Sequence, residues 1–128
     1  MPSQKKAIQI PNAPAPVGPY SQAILVGNQL FVSGQIPLNP QSGALEMQTI
    51  EQATHRILQN IQALLTEAGF ELTNVVKVSI FMKDMNEFQA MNSVYATYFN
   101  QTPPARETVQ VGRLPLDVNL EMSCIAVK

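Results

Sequence analysis

The clearest pattern along the chain is an apolar stripe that recurs at steps of three and four residues. Its members are Ile50, Ala53, Ile57, Ile61, Leu64, Leu65 and Ala68. This spacing places them on one side of an α-helix. Thr49 and Gln52 fit a capping box at its start, and Gly69 fits a left-handed cap at its end. The pattern therefore predicts an amphipathic helix between Thr49 and Gly69.

A second apolar stripe predicts another helix between Asp84 and Pro103. Asp84 with Glu87 three residues later matches a helix start, and the Pro103-Pro104 pair stops the helix. The inner face of this helix is formed by Phe88, Met91, Tyr95, Tyr98 and Phe99. We interpret this aromatic spacing as hydrophobic core and not as a cofactor site.

Short β-branched or alternating runs predict the strands. They cover residues 21–26, 29–33, 75–82, 105–111 and 119–127, with a further short strand expected near residues 44–47. The Gly27-Asn28 pair is a hairpin signal between the first two strands. Residues 1–19 contain Pro2, Pro11, Pro14, Pro16 and Pro19, which indicates an extended lead-in and not a helix.

This order of elements is typical of an α+β fold. We expect one domain over residues 1–128, with a mixed sheet of five or six strands and two helices packed on one face. Val76, Val78, Ile80 and Met82 are predicted to share a face, whereas Val75, Phe81, Ile125 and Val127 fall on the other face. Because that second face is too apolar for water, we predict self-association through it, with any polar pocket between subunits.

The composition narrows the function classes. Apolar residues make up 45% of the chain and charged residues 13%, about half the usual fraction, so an oligomer would hide poorly solvated surface. The net charge of −1 argues against general nucleic-acid binding. One Cys and one His exclude an internal disulfide and a Cys/His zinc cluster, and no cofactor or metal is predicted. Without a signal-like or membrane-spanning run, we expect a cytoplasmic protein with no membrane partner.

Arg106 is the most informative single residue. It stands at the entrance of a strand, after Pro104-Ala105, on the same face as Thr108 and Gln110. An arginine in a half-buried strand is costly unless a negative group meets it, and its planar fork suits a carboxylate or a phosphate. Two interpretations stay open: a structural ion pair with Glu107 or Glu121, or a small anion site.

Glu121 is the second charge in an unexpected place, since it lies between Leu120 and Met122 in the last strand, which we expect to adjoin the strand of Arg106. Burial would raise its pKa and make it an acid/base candidate, while an interface ion pair is the alternative. Tyr20 follows Gly18-Pro19 at a rigid strand entrance, where it either walls a pocket or is an edge aromatic.

Gly34 and Asn92 each have both a functional and a structural interpretation. Ser33-Gly34 ends a strand, where Gly34 either admits a ligand close to the backbone or simply terminates the strand. Asn92 lies off the main apolar stripe of the second helix, where it either contacts a ligand or is simply exposed to solvent. His55 is expected at the surface of the first helix, and Cys124 is expected to be inert core.

Several short fragments, spread in order along the whole chain, match the pattern of one known family. They are Gly18-Pro19-Tyr20-Ser21-Gln22, Val32-Ser33-Gly34-Gln35-Ile36-Pro37, Val76-Lys77-Val78, Phe81, Lys83-Asp84, Asn92, Tyr95, Pro104-Ala105-Arg106, Arg113-Leu114-Pro115, Val118 and Glu121. With these fragments the chain resembles the RidA (YjgF) family of reactive-intermediate deaminases, also labelled L-PSP endoribonuclease-like.

The resemblance implies a chorismate-mutase-like α+β fold, a homotrimer and clefts between subunits. It implies hydrolysis of 2-enamine and 2-imino acids, such as 2-aminoacrylate and 2-iminobutyrate, to 2-keto acids and ammonia. By the family pattern Arg106 would hold the substrate carboxylate and Glu121 would position or activate water. The remaining site residues, some of them from the neighbouring chain, would be Tyr20, Ser33, Gly34, Asn92 and Thr108.

Thr108 is a departure from the family pattern, because many relatives carry a cysteine two residues after the arginine. If that cysteine contributes mainly its backbone amide, Thr108 can do the same. If its sulfur is needed, this chain has lost the activity or changed its function. Two alternatives stay open: a non-catalytic protein that binds or reports a metabolite, which Thr108 makes more plausible, and an endoribonuclease. The family's older label suggests the endoribonuclease, but the single His and the absence of a basic stripe count against it.

Overall fold

A computed structural model describes residues 4–128, so Pro2 of the predicted lead-in lies outside the described residues. Over these residues the chain forms a six-stranded mixed sheet with two helices on one face, which confirms the predicted α+β fold. The elements are β1 (Lys6–Ile8), β2 (Ala23–Val26), β3 (Gln29–Gln35), α1 (Ile50–Glu67), β4 (Val75–Met82), α2 (Phe88–Tyr98), β5 (Ala105–Gln110) and β6 (Leu120–Val127).

Both helices begin close to the predicted positions. Thr49 caps α1, since its side chain accepts a hydrogen bond from Gln52 N at 3.0 Å. Gly69 follows the helix with φ of 81°, a left-handed conformation that glycine adopts without strain. Asp84 caps a short 3-10 turn over Met85–Glu87, and α2 starts one residue after that turn.

The strand order in the sheet is β1-β2-β3-β6-β4-β5. All neighbouring strands are antiparallel except β4 and β5, which are parallel and joined through α2. The expectation that the last two strands of the sequence are neighbours is wrong, because β4 lies between β5 and β6. The parallel β4-α2-β5 unit needs a long crossover connection, and the chain then returns so that β6 fills the central position between β3 and β4.

The described part of the proline-rich lead-in contains no helix, as predicted, and β1 forms the sheet edge within it. Two local predictions differ from the structure. Residues 44–47 form no strand but a single bridge between Leu38 and Leu45, within a loop where Asn39 Oδ1 accepts hydrogen bonds from Gln41 N and Ser42 N. A bulge between Val75 and Lys77 turns Val75 into the core and leaves Val76 46% exposed, the reverse of the predicted faces.

The hydrophobic core lies between the helices and one face of the sheet. Fully buried side chains from both layers include Leu30, Ile57, Leu58, Ile61, Leu64, Leu65, Ile80, Met82, Met91, Leu120 and Met122. The other sheet face, called the open face below, carries Ile24, Phe31, Lys77, Ser79, Phe81, Glu107, Val109, Glu121, Ser123 and Ile125. Neither helix in the described part of the chain is long and apolar enough to cross a membrane.

Candidate active site

Glu121 lies on the open face near the end of β6. Its neighbours Leu120 and Met122 point into the core, so alternation along the strand turns Glu121 to the opposite side. The carboxylate is half-buried, and within residues 4–128 it has no hydrogen bond or ion pair. Burial raises the pKa of Glu121 above its usual value of 4.5, as the sequence led us to expect. This carboxyl can therefore exchange a proton closer to neutral pH than an ordinary glutamate.

Gly34 forms the seat of this carboxyl. A β-carbon at position 34 would lie 2.8 Å from Glu121 Cδ, so any larger residue here would displace the acid from its observed position. The register between β3 and β6 shifts between Val32 and Gln35, which inserts one extra residue at Ser33–Gly34. Such bulges re-aim side chains and frequently adjoin active sites. Gly34 is thus needed for close approach and does more than terminate a strand.

Glu121 opens into a surface hollow. The lining of this hollow is formed by Val17, Tyr20, Ser33, Gly34 and Pro115. Tyr20 is 47% exposed, and its hydroxyl accepts a hydrogen bond from Val17 N at 3.2 Å. The Ser33 hydroxyl donates to Ser21 O at 2.6 Å, so it fixes the strand entrance. Four of the predicted site residues therefore surround one hollow, which we call the acid half-site.

Gln22 holds the outer wall of the acid half-site in place. It is 2% exposed, and its Nε2 donates to Ala13 O at 3.1 Å and to Pro14 O at 2.9 Å. Its Oε1 accepts from Ile10 N at 2.7 Å. One amide thus ties the proline-rich segment to β2. The sequence placed Gln22 in a family fragment but gave it no role, because the partners are backbone groups far along the chain.

Arg106 lies on the helix side of β5, at the edge of the sheet. Its register partner in β4 is Val78, which is fully buried on the helix face. The guanidinium carbon lies 4.8 Å from the ring centroid of Tyr95 and 5.6 Å from that of Phe88. Glu107 cannot neutralise it, because Glu107 Oε1 pairs with Lys77 Nζ at 2.9 Å on the open face.

The charge of Arg106 thus lacks an ion-pair partner among residues 4–128. Both ion pairs found in residues 4–128 join lysines to acids, Lys77 to Glu107 and Lys83 to Asp117. Of the two interpretations that the sequence left open, the structure lacks the internal ion pair. The remaining interpretation is a small anion site, because the half-buried guanidinium of Arg106 can donate two parallel hydrogen bonds to a bound anion.

Asn92 and Thr108 lie on the same side as Arg106 by their spacing along α2 and β5, and we call these three residues the arginine half-site. Asn92 lies four residues after Phe88 and three before Tyr95, so helical spacing puts it on the same face as both rings. Thr108 is two residues beyond Arg106 on β5 and therefore on the same side. The Thr108 hydroxyl is buried and lacks a hydrogen-bond partner among the described residues.

The two half-sites of one chain are on opposite faces of its sheet. Arg106 is in register with Val78 and Glu121 with Phe81, three residues further along β4. Two strand spacings sideways and three residues along the strand separate their backbones by roughly 14 Å. Their side chains point in opposite directions, so one chain by itself does not bring them together.

The two residues that the sequence set aside lie as expected. His55 is exposed, and its ring Nδ1 is 2.9 Å from the Tyr98 hydroxyl, away from both half-sites. Cys124 is buried on the helix face, and this burial raises the pKa of its thiol to about 12. A thiol that stays protonated is a poor nucleophile, so Cys124 does not replace a reactive cysteine.

Comparison with known proteins identifies the family. The family model described as Endoribonuclease L-PSP matches residues 10–128. A RutC family protein of Pyrococcus abyssi is 51% identical over 97% of this chain and 98% of its own length. An Escherichia coli protein named 2-iminobutanoate/2-iminopropanoate deaminase is 42% identical over 96% of this chain and 98% of its own.

A solved structure agrees with this assignment. The crystal structure of a putative endoribonuclease from Thermotoga maritima superposes with a TM-score of 0.95 at 48% identity, covering 98% of each chain. Sequence and backbone therefore match over 98% of this chain. The chain belongs to the RidA (YjgF) family, which the Endoribonuclease L-PSP model describes.

Proposed function

We propose that this protein hydrolyses small 2-imino acids, and the 2-enamine acids that tautomerise to them, to 2-keto acids and ammonia. One observation carries the proposal: an arginine without an anion and a glutamic acid without a cation lie on opposite faces of the sheet in residues 4–128. Together they offer what such a substrate needs, a carboxylate anchor and an acid/base group. The deaminase named among the relatives supports this choice.

A homotrimer would complete the site. The open face carries exposed apolar side chains, with Phe31 39% and Val109 42% exposed, and such a face is costly in water. A cyclic trimer repeats one interface in which two different surfaces meet. In this arrangement the arginine half-site of one subunit would face the acid half-site of the next. Both halves then form three equivalent clefts.

Arg106 would bind the substrate carboxylate through two parallel hydrogen bonds. This geometry fixes both the position and the rotation of a small acid, because two N–H groups meet two oxygens in one plane. Holding a reactant in one orientation can contribute up to about 7 kcal/mol to catalysis. Asn92 and Thr108 flank this anchor and would discriminate against ligands that cannot fill the space beside it.

Glu121 would handle the protons of the hydrolysis. Water adds to the carbon of the protonated imine while the Glu121 carboxylate accepts one proton of that water, which gives a carbinolamine. Glu121 then returns this proton to the amino nitrogen. Ammonia leaves as the C–N bond breaks, and the hydroxyl releases its proton to solvent as the C=O bond forms. A glutamate whose pKa is raised by burial is suited to take up and return a proton, an effect of about 10²–10⁴-fold.

This mechanism uses no thiol. A protonated C=N carbon already accepts water, so the protein needs to orient the substrate and transfer protons, and it needs no covalent intermediate. Thr108 stands where many relatives carry cysteine, and its hydroxyl cannot act as a thiolate. Thr108 would therefore serve as a wall and hydrogen-bonding group of the site.

The test generates 2-iminobutyrate from threonine with a pyridoxal-phosphate-dependent dehydratase and measures 2-oxobutyrate formation with and without this protein. The wild type is expected to accelerate formation, and Arg106→Ala is expected to lose about 100-fold of that acceleration, as when one partner of a close charge pair is truncated. Lys6→Ala removes an exposed cation at the far edge of the sheet and serves as the control.

The same assay separates the competing functions. Saturable binding of 2-oxobutyrate without any acceleration would indicate a metabolite-binding protein, a choice that the absence of a thiol at Thr108 favours. Cleavage of RNA that persists through purification and disappears in Arg106→Ala would indicate a ribonuclease. Equal rates with and without the wild-type protein would remove the deaminase proposal.

A further inference from the structure

Two aromatic rings of α2 hold the guanidinium of Arg106. Phe88 and Tyr95 are seven residues apart, so they share one face of the helix two turns apart, on the order of 10 Å along its axis. The guanidinium carbon of Arg106 lies within 5.6 Å of one ring centroid and 4.8 Å of the other. It therefore lies in the space between the two rings, in the range where cations and ring faces attract each other.

This environment limits the orientations of Arg106 without neutralising its charge. A guanidinium against aromatic faces keeps its N–H groups at its edge free for an anion. Burial raises the pKa of Tyr95 to about 12, although the nearby Arg106 charge favours the ionised form. The phenol consequently stays neutral near pH 7 and supplies no counter-charge to Arg106.

The stripe on α2 also connects the rings to the rest of the arginine half-site. Asn92 lies between Phe88 and Tyr95 on the same helix face, and Thr108 lies beside Arg106 on β5. The Thr108 hydroxyl is buried and has no hydrogen-bond partner among residues 4–128. If Phe88 and Tyr95 served only to pack α2 against the core, there would be no reason for a charged side chain from β5 to lie between their rings.

We propose that Phe88 and Tyr95 are positioning residues that fix the plane of the Arg106 guanidinium for two-pronged recognition of a carboxylate. This inference rests on the proposed function in one respect, the carboxylate ligand. It goes beyond that function by assigning a role to two aromatic rings that act on the ligand only through Arg106. Removal of a ring face should weaken binding of acids selectively, because only acids use the oriented fork.

The test measures the binding of 2-oxobutyrate and of its uncharged analogue 2-oxobutanamide by titration calorimetry. Phe88→Leu and Tyr95→Leu are expected to weaken 2-oxobutyrate binding about tenfold, equivalent to about 1.4 kcal/mol. The affinity for the amide is expected to change less than about twofold, since the amide lacks the charge that Arg106 recognises. Tyr95→Phe keeps the ring face and is expected to retain the preference for the acid.

Tyr98→Leu is the matched control, since Tyr98 lies on the same helix but contacts His55 and not Arg106. Should Tyr95→Leu fail to fold, Phe88→Leu carries the test, because Phe88 is only half-buried at the helix start. Oligomeric state and melting temperature are measured for every variant. They identify the folded proteins to which the comparison applies.

The outcomes distinguish this inference from the proposed function. Unchanged 2-oxobutyrate affinity in folded Phe88→Leu, or equal losses for acid and amide, would overturn the positioning role while imine hydrolysis by the wild type stood. Selective loss of acid binding in a wild type that does not accelerate imine hydrolysis would sustain the positioning role and remove the proposed function. A wild type that does not bind 2-oxobutyrate would overturn the inference.

Discussion

Replacing Gly34 with alanine tests the geometry of the acid half-site with one methyl group. The added carbon would lie 2.8 Å from Glu121 Cδ and 3.2 Å from Glu121 Cγ. Carbon atoms in contact prefer separations of about 3.5–4.0 Å, so the carboxyl must move by roughly 0.7–1.2 Å. The neighbour that moves is the end of a side chain and not backbone, so the fold itself should survive.

The expected consequences for stability and catalysis differ in size. Overpacking of this kind costs about 1–3 kcal/mol, and the lower end applies because a half-buried side chain can shift. A displacement of about 1 Å in a reacting group can lower the rate about 100-fold. We therefore expect Gly34→Ala to remain folded and to lose most of its turnover, while binding of 2-oxobutyrate through Arg106 falls less than about threefold.

The assay is the coupled dehydratase measurement, together with calorimetry for 2-oxobutyrate and urea unfolding. Gly112→Ala is the matched control, because a β-carbon there meets no atom within 4 Å. That variant should keep full activity and at least wild-type stability. Wild-type turnover in folded Gly34→Ala would refute the reasoning, since it would mean that the position of the Glu121 carboxyl does not matter for the reaction.

Three further predictions concern single residues. Gln22→Leu should cost about 3 kcal/mol in urea unfolding, because several buried backbone groups lose their partner; a loss below about 1 kcal/mol would contradict it. The Cys124 thiol should resist an aromatic disulfide reagent at pH 8 until urea unfolds the chain, given its pKa of about 12. Because the pKa of Glu121 is raised, the acid limb of kcat/KM should lie above pH 4.5 and disappear in Glu121→Gln; a limb that persists would assign it to another group.

Local chemistry made much of the fold predictable. The stripe of α1 and its Thr49 cap depend on residues only three or four positions apart, and the structure confirms both. Runs of β-branched residues likewise predicted β4. The sequence placed Glu121 between the apolar residues Leu120 and Met122, and alternation along β6 turns the acid away from them onto the open face.

The errors arose where distant segments decide the structure. Neighbouring strands in the sequence usually pair, but β6 pairs with β3 and β4, which no local pattern indicates. The bulge after Val75 shifts the strand faces by one residue, an effect invisible in alternation alone.

The candidate site was predictable as residue types but not as a geometry. The aromatic stripe of α2 was interpreted only as core, and its periodicity does suit a buried helix face. What the sequence alone lacks is the crossover that brings β5 alongside, so that Arg106 reaches Phe88 and Tyr95. Placement of Arg106 and Glu121 on opposite faces likewise depends on the register of three strands.

Subunit complementation tests most directly whether Arg106 and Glu121 of different subunits form one site. Arg106→Ala and Glu121→Gln chains, each inactive alone, are unfolded together and refolded as mixed oligomers before the imine assay. Random mixing should restore about one quarter of wild-type activity, because one in four interfaces then joins an intact arginine half-site to an intact acid half-site. If mixed oligomers form and activity stays at the level of the separate variants, the two residues do not meet across a subunit boundary.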